Sequence, residues 1–174
     1  MDAQNTQSQE ARTNQPERPA FPFQSTKQYR DYPCCHRQHR HDGNCAVLHG
    51  YSRSFYFIFE AQTLDECGFV VDFGKLKPLK AHLDYMFDHT LLLNADDPLL
   101  PQFEALAAQG AAAIRIMPHG VGMEGTAQYL CEWADKFIRE VTKGRCWVKM
   151  VESRENDKNS AWYHNPEAGF KGWQ

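Results

Sequence analysis

Apolar side chains recur along this chain with two different periods, and the points where the period changes predict its elements. Between Tyr51 and Ala61 the run YSRSFYFIFEA is dense in aromatic residues and isoleucine, the composition of a pleated, largely buried strand. Asp65, Glu66 and Gly68 mark a turn, after which FVVDF reads as a second short strand. From Lys75 onward Leu76, Leu79, Leu83 and Met86 recur at spacings of three, four and three. That spacing places them on one face of a helix, with Asp72 just ahead as its cap. A second amphipathic helix is predicted from about Thr126 to Val141, with Leu130, Trp133, Phe137 and Val141 as its stripe and Thr126 as N-cap. Lys143 and Gly144 close it, where a cation and a left-handed residue are both favoured.

Beyond that helix RCWVKMVE alternates, so that Cys146, Val148, Met150 and Glu152 share one face of a strand. SAWYH reads as a last short strand pairing with it. Between the two helices FEALAAQ reads as a short helix and AAAIRIM as a strand. No internal repeat is visible, and strands, helices and strands in that order make an α+β fold. Residues 1–20 carry almost no large apolar side chains and are expected to be a disordered polar tail, leaving 21–174 as one domain.

Composition narrows the function. With 19 basic against 22 acidic side chains the formal net charge is −3, which gives no general pull toward nucleic acid or anionic lipid. No apolar run is long enough to span a membrane, and the N-terminus lacks the apolar core of an export signal, so the expected address is the cytoplasm. The six cysteines (Cys34, Cys35, Cys45, Cys67, Cys131, Cys146) are then expected as free thiols.

The chemistry concentrates in CCHRQHRHDGNCAVLHG, which holds Cys34, Cys35, His36, His39, His41, Cys45 and His49. Imidazole and thiolate are preferred zinc ligands, and such density is hard to explain by packing. The spacing lacks the paired knuckles of a zinc finger, so a catalytic rather than a structural ion is expected. A thiol such as Cys45 near a metal-bound histidine is well sited to act as a base, because a nearby cation lowers its pKa.

These residues have an order. His36-Arg37, Cys45, Leu48-His49-Gly50, Val71-Asp72-Phe73, Asp88-His89 followed by Asn94, Thr126 opening the second helix, and Glu152 at a strand end together resemble the 6-pyruvoyl-tetrahydropterin and 6-carboxy-tetrahydropterin synthase family. The resemblance implies a tunnelling fold: an antiparallel sheet with two helices on one face, assembled as a homo-oligomer, trimer or hexamer, around a β-barrel. Active sites then lie between subunits. It also implies a zinc-dependent lyase, with the 6-carboxy activity expected for this chain: 7,8-dihydroneopterin triphosphate is converted to 6-carboxy-tetrahydropterin, acetaldehyde and triphosphate on the route to queuosine.

Carried over residue by residue, the resemblance assigns Cys45 as base, Asp88 and His89 as its proton relay, Glu152 as the anchor for the pterin edge and Thr126 as a substrate contact. His36 and His49 match two metal ligands. The third position departs from the family, since the sequence reads HGY where the family reads HGH, and Tyr51 stands where the third histidine would be. Either the Tyr51 phenolate, or His39 or His41, completes the set, or the site is weakened; His41 is the preferred choice. Gly125 and Gln128 likewise replace the proline and glutamate of the family's Pro-Thr-x-Glu start. Arg37, Arg40, Arg53, Lys75 and Lys77 are candidates for the triphosphate, while Trp133 and Phe137 are expected to pack in the core. The competing functions are a diverged pterin synthase with another product, a non-catalytic pterin- or metal-binding oligomer, and a structural zinc module that chelators would unfold.

Overall fold

The computed structural model describes residues 21–169; the tail expected over residues 1–20 lies outside them. The chain runs β1 (Phe23–His36), β2 (His49–Ala61), α1 (Lys77–Phe87), β3 (Thr90–Leu93), α2 (Leu100–Ala108), β4 (Ile114–Ile116), α3 (Met123–Val141), β5 (Cys146–Arg154) and β6 (Ser160–His164). The strands form a six-stranded sheet in the order β4-β3-β1-β2-β5-β6. The fold class is α+β, as the element pattern implies. One detail differs from the expectation: the sheet is mixed, because β3 runs parallel to β1 and β4 parallel to β3. The short helix and strand read in FEALAAQ and AAAIRIM are α2 and β4.

β2 organises the core through its alternation. Phe55, Phe57 and Phe59 point to one face and are 1% exposed or less. There they meet Leu79, Leu83 and Phe87 of α1 and Leu130, Ala134 and Ile138 of α3 in one cluster. The α1 stripe is the one read from the sequence. The α3 stripe is displaced: Ala127, Leu130, Cys131, Ala134 and Ile138 are buried, while Trp133 and Phe137 pack against the core from its flank. Buried Asp135 joins α3 to the sheet, accepting from the Val148 amide at 2.9 Å and from Arg139 Nε at 2.7 Å.

Three local expectations are corrected. FVVDF forms no strand; Val70 and Val71 are buried and the chain enters a 3-10 turn at Phe73–Leu76, where Asp72 caps by accepting from the Gly74 amide. α3 starts at Met123 with Gly122 as N-cap, so Thr126 lies inside the first turns. A Cβ on Gly125 would sit 2.2 Å from the His119 carbonyl oxygen, so the close approach of that loop to α3 excludes any side chain there, a proline ring included.

The third correction concerns β5. Ile58 pairs with Met150 but Phe59 pairs with Val148, so Lys149 is an extra residue and a bulge. The bulge reverses the alternation. Cys146, Val148 and Val151 join the helix-side cluster, whereas Glu152 stands opposite Tyr56 on the other face. Glu152 therefore does not share a face with Cys146 and Val148.

Between α1 and α3, His82 stacks on Trp133 at 3.9 Å with the rings 2° from parallel, and its Nε2 lies 2.8 Å from the Tyr129 hydroxyl. Burial lowers its pKa from 6.5 to about 4. The unfolded chain therefore binds more protons between those values. The stability that neutral His82 contributes is full above pH 6.5 and is lost as pH falls toward 4. Urea titrations at pH 7.5 and pH 4.5 are expected to differ by less in His82→Phe than in the native sequence, the difference amounting to no more than about 3 kcal/mol.

Candidate functional site

The β1–β2 pairing ends on a histidine rung, with His36 directly opposite His49. Directly opposed residues share a face, and counting back from Phe55 by twos puts Arg53, Tyr51 and His49 on the helix side. The two imidazoles are 4.3 Å apart between centroids. Glu155, one residue beyond β5, follows Arg154, which pairs with Ser54. Its side chain consequently falls on the same side as Arg53. His36, His49 and Glu155 each bring one ligand atom to within 4.8 Å of the others, with His36 Nε2 3.9 Å from Glu155 Oε1.

The state of these groups suits a cation. Burial, with the Arg53 guanidinium and the His49 ring adding to it, lowers the His36 pKa to about 3, so the imidazole is neutral at pH 7 as a ligand must be. Its buried Nδ1 has no hydrogen-bond partner. His49 donates from Nδ1 to the Val47 carbonyl at 2.6 Å, which fixes its tautomer and leaves the Nε2 lone pair free. Two imidazoles and a carboxylate are an established zinc donor set.

The third ligand anticipated from the sequence does not join them. His41 is exposed in the loop, and its Nδ1 accepts from the Gly43 amide at 2.9 Å. His39 is engaged elsewhere, 3.8 Å from Asp97 and 3.9 Å from Asp96. Tyr51 sets its ring edge-on to His49 at 5.8 Å and is 39% exposed.

Asp88 and His89 are brought together: Asp88 Oδ1 accepts from His89 Nδ1 at 2.7 Å. His89 takes a left-handed backbone, φ 54°, and is anchored by its amide to the Pro33 carbonyl at 2.8 Å. That conformation turns an exposed imidazole outward, with its side chain 83% accessible. Cys45 sits exposed in a 3-10 turn, Asn44–Ala46, and among the described residues its thiol has no hydrogen bond to Asp88 or His89.

Glu152 is 6% exposed and accepts from Arg154 Nη2 at 2.5 Å. It lines a cavity of about 660 Å³ with Gln28, Arg30, Tyr56 and Trp162, on the face away from the helices. Thr126 is fully buried on the helix side, its hydroxyl accepting from Arg53 Nη1 at 3.0 Å. Glu152 and the histidine pair thus occupy opposite faces within one chain.

Most of the basic candidates are already committed. Arg37 pairs with Asp97 at 3.2 Å and Arg40 pairs with Asp96. Arg53 has no exposed surface and donates to Thr126 and to the Val121 carbonyl, so it is a structural cation rather than a surface phosphate contact. Lys75 lies in a polar depression beside Asp65 and Asp72, and Lys77 is exposed. The residue that sequence reasoning missed is Glu155. It stands in a turn, its amide donating to the Asn159 carbonyl, far along the chain from the histidines it faces.

A sheet that buries its aromatic face under α1 and α3 and carries imidazole, thiol and carboxylate groups at its rim is that of a tunnelling-fold protein. An uncharacterized protein from Wolinella succinogenes superimposes with a TM-score of 0.69 over 84% of this chain and 99% of that one, at 22% identity. The 6-pyruvoyltetrahydropterin synthase of Plasmodium vivax does so with a TM-score of 0.61 over 82% and 98%, at 16% identity. The family model described as 6-pyruvoyl tetrahydropterin synthase matches residues 25–166, and the chain belongs to that family. Among curated relatives, the 6-carboxy-5,6,7,8-tetrahydropterin synthase of Rickettsia conorii is 36% identical over 73 residues, 41% of this chain and 53% of the relative. That of Rickettsia typhi is 38% identical over 68 residues, 38% and 49% of the two. The matched segment thus spans about half the length of these relatives.

Arg53 ties β2 to the start of α3, and removing it leaves the buried Thr126 hydroxyl and Val121 carbonyl without their donor. Arg53→Met is expected to lower stability by about 2–5 kcal/mol, measured from the urea unfolding midpoint.

Proposed function

We propose that the protein is a 6-carboxy-tetrahydropterin synthase. It takes 7,8-dihydroneopterin triphosphate and water to 6-carboxy-5,6,7,8-tetrahydropterin, acetaldehyde and triphosphate, a step toward the queuosine base. Family membership supports the pterin chemistry, and the names of the Rickettsia relatives support the 6-carboxy product. The observation that carries the reading is the Asp88–His89 pair: hydrogen-bonded, held in a left-handed turn and directed outward.

An outward-facing relay is complete only against another surface. In this reading the protein works as a homo-oligomer in the cytoplasm, and Asp88–His89 of one copy meets Cys45 and the histidine pair of the next. Exposed Val47, Leu48 and Tyr51 beside His49 supply apolar area for such a contact. The same assembly unites Glu152 with the histidines, which one chain keeps on opposite faces of its sheet.

The roles follow from chemistry. His36 and His49 hold a zinc ion, which when bound polarises the substrate's side-chain oxygens as a Lewis acid. Cys45 takes the proton that leaves carbon. Asp88 fixes His89 in the Nδ1–H tautomer, so that Nε2 can exchange a proton with the thiol or the substrate. Glu152 accepts two parallel hydrogen bonds from the ring N–H and 2-amino group of the pterin.

A second reading, a diverged synthase with another product, is favoured by one observation: Thr126, a substrate contact by family resemblance, is sealed beneath Arg53. Mass-spectrometric analysis of products from zinc-loaded protein and 7,8-dihydroneopterin triphosphate separates the two. The expected result is 6-carboxy-tetrahydropterin with acetaldehyde; a different pterin establishes the second reading, and unchanged substrate overturns both. Cys45→Ala is expected to lower kcat at least ~100-fold, while Glu152→Ala acts mainly on KM.

A further inference from the structure

Two histidines alone make an incomplete zinc site, and HGY removes the usual source of a third imidazole. The geometry points to Glu155 as that third ligand: we propose a two-histidine, one-glutamate metal centre built from His36, His49 and Glu155. The inference rests on the metal-dependent reading above and deepens it.

Four observations converge. Among the described residues these are the three groups whose ligand atoms lie within 4.8 Å of one another. Tetrahedral zinc with ligand distances of ~2.0–2.2 Å separates neighbouring donors by roughly 3.3 Å, so closing the set takes side-chain shifts of about an ångström. The backbone delivers Glu155 to the right side, because Arg154 is in register with Ser54 and the next residue must face as Arg53 does. His49 is already oriented by the Val47 carbonyl with Nε2 free, and the Nε2 of buried His36 faces the Glu155 carboxylate at 3.9 Å.

The alternatives from the sequence are each occupied or displaced. His41 accepts from the Gly43 amide in the exposed loop. His39 is drawn to Asp96 and Asp97. Tyr51 offers an edge-on ring to His49, and a neutral phenol is a poor ligand. Glu155 acts electrostatically on Arg53, as Glu124 does, and is placed by its backbone, its amide donating to the Asn159 carbonyl at 3.1 Å.

The test reads metal, not turnover. Full-length protein is stripped with chelator, reloaded with zinc, and its zinc content and affinity are measured by mass spectrometry and chelator competition; cobalt(II) substitution reports the donor set through its visible bands. The native sequence is expected to bind one zinc per chain. Glu155→Gln and Glu155→Ala are expected to weaken binding at least ~100-fold, beyond the effect typical of losing a second-shell partner. His41→Ala and Tyr51→Phe should bind as the native protein does.

The double variant Tyr51→His with Glu155→Ala is expected to recover binding with a nitrogen-rich cobalt spectrum. That rescue keeps the test sound should loss of Glu155 also lower stability through Arg53, and circular dichroism verifies folding of each variant. Native-like affinity in the folded Glu155 variants overturns the proposal. So does loss of binding in His41→Ala or Tyr51→Phe comparable to that in Glu155→Ala. Absence of zinc binding by the native protein instead overturns the metal-dependent reading, and this inference with it.

Discussion

The register of β1 against β2 is the constraint on which the rest of the site depends. Twelve paired positions run from Phe23 opposite Ala61 to His36 opposite His49, and side chains alternate faces at every step. Slipping one residue would send His36 to the far side of the sheet from His49. The register is not uniform along the pair: it shifts between Tyr29 and Tyr32, where Asp31 adopts a left-handed φ of 68°. That irregularity resets the parity of β1, so that Tyr32, Cys34 and His36 are buried where Tyr29 was before them. A second bulge, at Lys149, resets β5 and brings Glu155 onto the histidine side while sending Glu152 to the other. Two one-residue insertions thus decide which groups can meet.

Arg53 makes that arrangement energetically coherent. A fully buried guanidinium is costly unless its donors and its charge are answered. Two donors are answered, Nη1 by Thr126 Oγ1 and Nη2 by the Val121 carbonyl, both at 3.0 Å, while the buried Nε has no partner among the described residues and electrostatic support from Glu155 and Glu124 only partly offsets the cost of burial. One side chain in β2 therefore ties down the entry to α3 and helps keep His36 neutral.

How much of this was legible in the sequence divides along physical lines. α1 and the aromatic strand were readable because their apolar positions keep one strict period against one core. FVVDF was misread because two buried valines satisfy a strand pattern locally, whereas their neighbours lead into a capped 3-10 turn. β1 gives no clear strand signal: much of its length is polar and exposed, and from Tyr32 to His36, where burial does alternate, Pro33 is a residue that argues against a strand and Cys35 and His36 put an apolar residue out and a polar one in. The ordered motif identified the family and placed the histidine pair and the Asp88–His89 pair. Glu155 was invisible because its position depends on a bulge, and a bulge has no periodic signature.

A glutamate in the proposed set would alter the electrostatics in a definite way. Relative to an all-imidazole site, a carboxylate would cancel one unit of an ion's charge and weaken the field acting on a substrate oxygen. Arg53 would work in the opposite direction, because its positive charge acts electrostatically on the same carboxylate. Buried at 0% exposure, that cation is little screened by water or salt, so its influence persists where a surface arginine's would fade.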